Sequence, residues 1–234
     1  MNYRELINQV LIRLREETIP TDWSGKINDM STISDYQKVI GSLVNDTKRS
    51  IESYHEWLSL RETVDITTTA NLKNYSLNSG QEFRIIDVIN NSNGNILSQV
   101  SRNYLNSIQY PVDPVGEPQY YGFNGLNSTN YTRNLKVDLS PIPDTAGTVI
   151  SFNMVKFQDE LEYALTALTI PAKPVILGAY ARAISERGED GGTQSSLAAQ
   201  EASDSLNQAI MIDSGNTQYE TDWYVSSNYQ HSNR

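Results

Sequence analysis

The chain has 234 residues, a formal charge of −10 and no cysteine. That length suits one large domain or two small ones, and the lack of cysteine excludes disulfides, thiolate catalysis and cysteine-ligated metal sites. The acidic balance argues against a protein that grips nucleic acid by neutralising phosphates, and no stretch approaches the ~20 apolar residues of a membrane span.

Two amphipathic helices are predicted at the start of the chain. Apolar residues recur at helical spacing over residues 3–17, and Pro20 ends that pattern. The second helix is predicted from Asp35 to Leu60, because Ser34 and Gln37 form a capping box before a long run with apolar residues every three or four positions. It would be roughly 40 Å long at the standard rise per residue.

The middle of the chain has the pattern of short strands and turns. Of the 22 asparagines, 13 lie between Asn71 and Asn134, and asparagine is typical of turns. Strands that follow one another without crossover helices favour antiparallel pairing. Runs typical of strands cover residues 64–69, 83–89, 119–123, 134–139 and 148–157, and a short helix is predicted over 98–107.

The last third is predicted to be helical again. Candidate helices cover residues 159–169, 175–184 and 197–210, the first opening with an acidic cluster and the second ending at Gly188. The stripe predicted to pack in the last helix includes Leu197. The terminal segment is polar but aromatic, so it buries its aromatic rings against either its own domain or a partner, and both alternatives remain open. These aromatic residues are Tyr219, Trp223, Tyr224 and Tyr229.

The order of elements predicts an α+β fold. In this fold, helices from both ends of the chain form one bundle, and a mainly antiparallel β region is inserted between them. The predicted divisions are residues 1–61 for the N-terminal helices, 62–157 for the β insertion, 158–213 for the C-terminal helices and 214–234 for an extended arm.

A search for chemical motifs finds no catalytic, cofactor-binding or metal-binding residue. His55 stands next to Glu56, but position 59 is serine, so the HExxH zinc pattern is incomplete. The stretch from Gly188 to Gly192 lacks the lysine of a phosphate-binding loop. Carboxylates are plentiful, so a glycosidase-like acid pair stays an open alternative at this point.

Three stretches of the chain resemble the head-to-tail adaptor proteins of short-tailed bacteriophages, the group that includes tail tubular protein A. The first is a long helix over 39–70 whose Trp-Leu end runs into a Thr-rich strand. The second is the GEPQYYGFNG and LKVDLSPIPDTAGTVISFNMVKF region, and the third is the ending PAKPVILGAYARAISERGEDGG followed by an Ala-rich helix.

The resemblance implies a structural ring subunit without catalysis or cofactor. Its partners would be a dodecameric portal, the tail nozzle, tail fibres and further copies of itself, and DNA would pass through the lumen without specific binding. The protein would belong to the virion neck after assembly in the bacterial cytoplasm. The arm would contact the portal through Tyr219, Trp223, Tyr224 and Tyr229. The resemblance fixes no individual contact between subunits, and the candidate residues for that interface are Tyr54, His55, Trp57, Tyr180 and Arg182.

A second hypothesis is a peripheral tail protein that binds or hydrolyses host surface polysaccharide. Its β region would stack sugar rings on Tyr120, Tyr121 and Tyr131, and its carboxylates would cleave them. The two hypotheses differ in a simple observable, because the adaptor forms rings with a portal and the hydrolase acts without one.

Overall fold

The computed structural model divides the chain into two compact units. One combines Met1–Ser59 with Glu160–Arg234, and the other is Leu60–Asp159. The residues described are 1–27, 33–80, 82–108, 112–127, 134–188 and 192–231. The elements are α1 (Tyr3–Arg13), α2 (Asp35–Tyr54), a 3-10 turn (Leu58–Leu60), β1 (Arg61–Thr67), β2 (Asn74–Leu77), β3 (Phe83–Asn90), β4 (Asn95–Ile96), β5 (Ser98–Gln99), α3 (Arg102–Ile108), β6 (Tyr120–Asn127), β7 (Asn134–Ser140), β8 (Val149–Lys156), α4 (Ala172–Arg187) and α5 (Thr193–His231).

The first unit is a helical bundle centred on α4, which contacts α1, α2 and α5. Helix α4 is apolar around most of its circumference, as is typical of a helix with neighbours on several sides. It ends at Gly188, whose φ of 65° is left-handed, and this is the stop that the sequence predicts. Its buried residues are Pro174, Val175, Ile176, Leu177, Ala179, Ala181, Ala183 and Ile184.

Both N-terminal helices begin at capping boxes. Asn2 and Glu5 cap α1, and Ser34 and Gln37 cap α2 as the sequence predicts. Helix α2 ends at Tyr54, well before the predicted end, because the next residue takes up an extended conformation with φ −147° and ψ 151°. Its length is therefore about 30 Å rather than 40 Å.

The helix predicted over 159–169 is wrong. The segment is irregular, and its backbone groups bond to distant parts of the same unit instead of to each other. The N–H of Tyr3 donates to the carbonyl oxygen of Thr166 at 2.9 Å, and the N–H of Ile27 donates to that of Glu162 at 3.0 Å. The acidic cluster at its start therefore does not lie at a helix N-terminus.

The second unit is a β-sandwich. One four-stranded sheet has the order β1-β8-β3-β4, and the other has the order β2-β7-β6-β5. Among the described strands, the pairings are antiparallel except for the short parallel contact of β5 with β6, and Val115 forms an isolated parallel bridge with Ile142. One core joins the inner faces of the two sheets. Its completely buried members include Val88 and Phe152 from the first sheet and Val137 and Leu139 from the second.

The β-sandwich is a continuous insertion in the chain. Strands β1 and β8 pair along their whole length, from Arg61 opposite Val155 to Thr67 opposite Val149. The chain therefore enters and leaves this unit on neighbouring strands. The predicted α+β class, with helices from both ends of the chain and a mainly antiparallel β region between them, is confirmed.

Candidate subunit-contact surface

A groove of about 440 Å³ runs between α2, α4 and α5 on the helical unit. Two of the five residues predicted for a subunit interface, Tyr54 and Arg182, line it. Most of the other lining residues are small or neutral, among them Ala181, Ala199 and Ala202. Small side chains leave the space between the three helices unfilled, and the groove is the result.

The floor of the groove is set by a close approach of α2 and α4 at Gly178. A Cβ atom built on Gly178 would lie 2.6 Å from Cγ2 of Thr47, a separation at which one of the two helices must shift. The hydroxyl of Thr47 donates to the carbonyl oxygen of Leu43 at 2.7 Å, which holds the methyl group toward α4. Glycine at position 178 therefore fixes the spacing of the two helices.

Arg182 is the one charged side chain among the described residues that line the groove. Its Nη2 donates to Oγ of Ser50 at 3.0 Å, and the Ser50 hydroxyl donates to the carbonyl oxygen of Asp46 at 2.9 Å. This contact holds the guanidinium group across the gap between α4 and α2. A guanidinium group carries five N–H donors, so most of them remain available to a carboxylate from outside the unit.

Tyr54 lines the groove where α2 stops, and His55 follows it in the chain. The side chain of Tyr54 is 72% exposed. Nε2 of His55 lies 2.9 Å from Oδ2 of Asp213 on α5, and the same oxygen accepts the backbone N–H of Leu58 at 3.1 Å. Asp213 therefore ties α5 to the segment that follows α2.

The other three predicted interface residues, His55, Trp57 and Tyr180, contact side chains or backbone of their own unit. Trp57 is completely buried, and its Nε1 donates to the carbonyl oxygen of Ile51 at 2.9 Å. The ring of His55 packs edge-on against Trp57 with centroids 5.0 Å apart. Tyr180 is partly buried, and the guanidinium carbon of Arg13 lies 5.9 Å from the centroid of the Tyr180 ring. In the described structure Trp57 therefore supports the end of α2 from inside the core, out of reach of a neighbour.

The face of α5 that points away from α4 carries apolar residues in solvent. Leu197 is 70% exposed, Met211 75% and Ile212 72%. The placement of Leu197 in the packed stripe is therefore wrong. The packed face buries Ala198, which the predicted stripe includes, and Ser205. The periodicity of the helix is too weak to separate its two faces, because small and apolar residues occur on both.

Helix α5 continues well past the predicted boundary at residue 213. Its backbone is helical from Thr193 to His231, a length of about 58 Å at the standard rise. The side chains of the four aromatic residues predicted to contact the portal lie outside the described side chains. They are Tyr219, Trp223, Tyr224 and Tyr229.

A second cavity, of about 470 Å³, lies where the segment after α1 meets α2 and α4, and two of the charged residues that line it form an ion pair. Nη2 of Arg187 donates to Oε1 of Glu16, and its guanidinium group stacks 4.7 Å from the ring centroid of Tyr36. The hydrogen bond to Glu16 raises the pKa of Arg187. This cavity is held together by contacts between elements of the bundle and is best explained as a structural clamp.

The β-sandwich contains one buried carboxyl group with an unusual environment. Asp138 is 5% exposed, and its Oδ2 accepts the amide of Asn124 at 2.9 Å, whereas Oδ1 has no hydrogen-bond partner among the described residues. Burial raises the pKa of Asp138, and the positive charge of Lys73 acts in the opposite direction. A single carboxyl group of this kind does not provide the acid pair that sugar cleavage needs.

The tyrosines proposed to stack sugars do not form an open platform. Tyr121 belongs to the core between the sheets, and Tyr120 packs edge-on against Tyr104 with centroids 6.0 Å apart. Tyr131 lies outside the described residues. Within the described part of the chain, no group of histidine and acidic side chains has the arrangement of a metal site, and no helix combines the length and hydropathy needed to cross a membrane.

These features define a class of protein: a helical-bundle subunit interrupted by a β-sandwich, with an open groove and exposed apolar helix faces. Residues 1–228 match the family described as SU10 adaptor protein. The chain therefore belongs to this family of bacteriophage head-to-tail adaptors, structural components of the virion neck, and the resemblance seen in the sequence is confirmed. No curated protein matches the chain.

Proposed function

We propose that this adaptor is a ring subunit that docks under the portal, extends the DNA channel and links it to the tail nozzle or fibres. The observation that carries the proposal is the family match over residues 1–228. The open groove on the helical unit and the exposed apolar face of α5 support it, because solvent-exposed apolar surface is typical of contact sites.

The charge of the chain suits a channel through which DNA slides. The sequence has 28 acidic against 18 basic residues, and the last fifty residues hold eight acids and two arginines. A wall of the same sign as the phosphates does not retain them, so DNA would pass without a specific contact. Assembly in the host cytoplasm is part of the same proposal.

The C-terminal arm, residues 214–234, is the segment that we propose reaches the portal. It follows Asp213, the residue through which α5 is bonded to the end of α2. It carries Tyr219, Trp223, Tyr224 and Tyr229 in an otherwise polar stretch. Tyrosine and tryptophan are the residue types that most often dominate the binding energy of an interface.

The test is co-sedimentation of the purified chain with the portal of the same phage. We expect the full chain to bind, and a chain ending at Asp213 to stay folded by circular dichroism but lose binding. A matched variant with the four aromatic residues of the arm changed to serine should also lose it. Portal binding that survives the truncation would show that the arm assignment is wrong. A chain that ignores the portal but binds or cleaves polysaccharide would overturn the adaptor role.

A further inference from the structure

The groove between α2, α4 and α5 has no occupant within the described subunit, and we infer that it receives the outer face of α5 from the next subunit of the ring. This inference rests on the proposed ring function and names the surfaces that would form each contact. Arg182 on one subunit would lie between Glu201 and Asp204 of its neighbour. Three observations support this pairing.

The first observation is the pattern of the outer face of α5. Leu197, Glu201, Asp204, Gln208 and Met211 follow one another at intervals of three or four, so they form one stripe along the helix. All five are exposed. The stripe is therefore apolar at its two ends and acidic in the middle, a pattern that a purely solvated helix face does not need.

The second observation is charge complementarity. Among the described residues that line the groove, Arg182 is the one that carries a charge, and Ser50 is the one described side chain that hydrogen-bonds it. Neither Glu201 nor Asp204 forms an ion pair with another described residue. Docking would bring the two acids to a guanidinium group held by α2 and α4, and charge pairs of this kind determine register as well as affinity.

The third observation is the match in length. The groove follows α5 from Ala199 to Ile210, which is about 16 Å at the helical rise, and the stripe from Leu197 to Met211 spans about 21 Å. The stripe therefore fills the groove and places an apolar residue beyond each end. At one end of the groove stands the exposed ring of Tyr54, suited to an apolar contact.

The geometry of this contact is that of a ring. The groove and the stripe are different surfaces of the same bundle, so each subunit uses one to accept and the other to insert. A contact between two different surfaces repeats from copy to copy and closes when the rotation between copies allows it. Because each chain carries a formal charge of −10, copies repel at long range, and we expect salt to favour the contact.

Charge reversal tests the pairing. Arg182→Glu would set an acid in the groove against an acidic stripe, and Glu201→Arg with Asp204→Arg would set basic stripes against Arg182. Each variant alone should associate at least about tenfold more weakly than the wild-type chain, in sedimentation velocity with and without the portal. An equimolar mixture of the two should regain association, because every groove then has a complementary stripe available. Asp22→Arg, an exposed acid outside the groove, is the matched control and should change little.

A disulfide gives a second, independent readout, since the chain has no cysteine of its own. Ser203→Cys lies in the groove and Gln208→Cys in the stripe. Within one helix the two Cα atoms would be about 8–9 Å apart, too far for a bond, so only neighbouring chains can be joined. Oxidation of the double variant should give a ladder of species up to the full ring, and each single variant should give dimers at most.

The outcomes separate this inference from the proposed function. Rings on the portal without the ladder, or charge-reversed variants that assemble like the wild type, would show that subunits meet through another surface. Such a result would leave the adaptor role intact. A wild-type chain that forms neither rings nor the ladder with the portal present would overturn both.

Discussion

The two units of this chain treat their surfaces differently. The β-sandwich encloses its core between two sheets, with Phe152 and Leu139 completely buried. The helical unit buries α4 but leaves an open groove and the apolar side chains of Leu197, Met211 and Ile212 in solvent. The β-sandwich also exposes apolar side chains, among them Val112 at 78% and Val115 at 59%, but these two lie outside its strands, whereas those named on the helical unit lie on α5, which lines the open groove.

On the outer face of the first β-sheet, polar side chains form hydrogen bonds with one another. Nδ2 of Asn153 donates to Asp87 at 2.6 Å, and the hydroxyl of Ser151 donates to Asp65 at 2.6 Å, each pair joining neighbouring strands. These rows bond within the sheet. On α5, by contrast, the apolar side chains of Met211 and Ile212 remain exposed to water.

The largest expected change in the free energy of unfolding comes from a substitution in the buried core of the helical unit. Trp57→Ala should lower the free energy of unfolding by about 3–5 kcal/mol, because it empties the space of a completely buried indole and removes its hydrogen bond to Ile51. Tyr54→Ala, three residues away but 72% exposed, should change it by less than about 0.5 kcal/mol. Denaturant titration measures both, and equal effects would contradict the division into core and contact residues.

A smaller effect tests the spacing of α2 and α4. Gly178→Ala should destabilise the chain by about 1–3 kcal/mol, since its Cβ would meet Cγ2 of Thr47 at 2.6 Å. Gly215→Ala is the matched control: the added Cβ would meet nothing within 4 Å, and alanine favours helix, so this variant should be slightly more stable.

Thr47→Ser in the Gly178→Ala background removes the methyl group that clashes. Thermal unfolding should show that the second change restores part of the loss. If the double variant is no more stable than Gly178→Ala alone, the close approach does not limit this packing.

The next largest loss of stability is expected where Asp213 joins α5 to the segment after α2. Asp213→Ala removes the acceptor of His55 and of the Leu58 N–H, and we expect a loss of about 1–2 kcal/mol. Hydrogen exchange should speed up in α5 near residue 213 and at Leu58, while the amides of β8 keep their protection. Unchanged exchange at Leu58 would show that the contact does not hold this segment.

The smallest effect tests the β-sandwich and depends on pH. Because burial raises the pKa of Asp138, its carboxyl group stays protonated in the folded state to a higher pH than in the unfolded chain. Its stabilising contribution is therefore present at low pH and is lost as pH rises above the ordinary carboxyl value of about 4. Asp138→Asn should gain about 1 kcal/mol at pH 7 and nothing near pH 3. A gain that is the same at both values would exclude this explanation.

The sequence predicts those elements whose signals are local. The capping box of Ser34 and Gln37, the stop at Gly188 and the strands from Asn134 to Lys156 all follow from neighbouring residues. The end of α2 could not be predicted from neighbouring residues. His55 adopts an extended conformation at the point where Asp213, which is distant in sequence, binds its ring and the N–H of Leu58.

The same reason explains the remaining errors. The segment 159–169 has residue types typical of a helix, but its backbone groups bond to the N-terminus and to the loop before α2. The groove could not be predicted either, because it exists only where three helices from both ends of the chain meet. Two of its residues, Tyr54 and Arg182, are among the predicted interface candidates, but no local pattern marks the groove itself.

The central claim is that this chain acts by contact between copies around a channel. Electron microscopy of the chain mixed with the portal of its phage tests it most directly. We predict a ring coaxial with the portal, with the helical units side by side and the C-terminal arms directed at the portal. Isolated subunits beside an undecorated portal would contradict the claim.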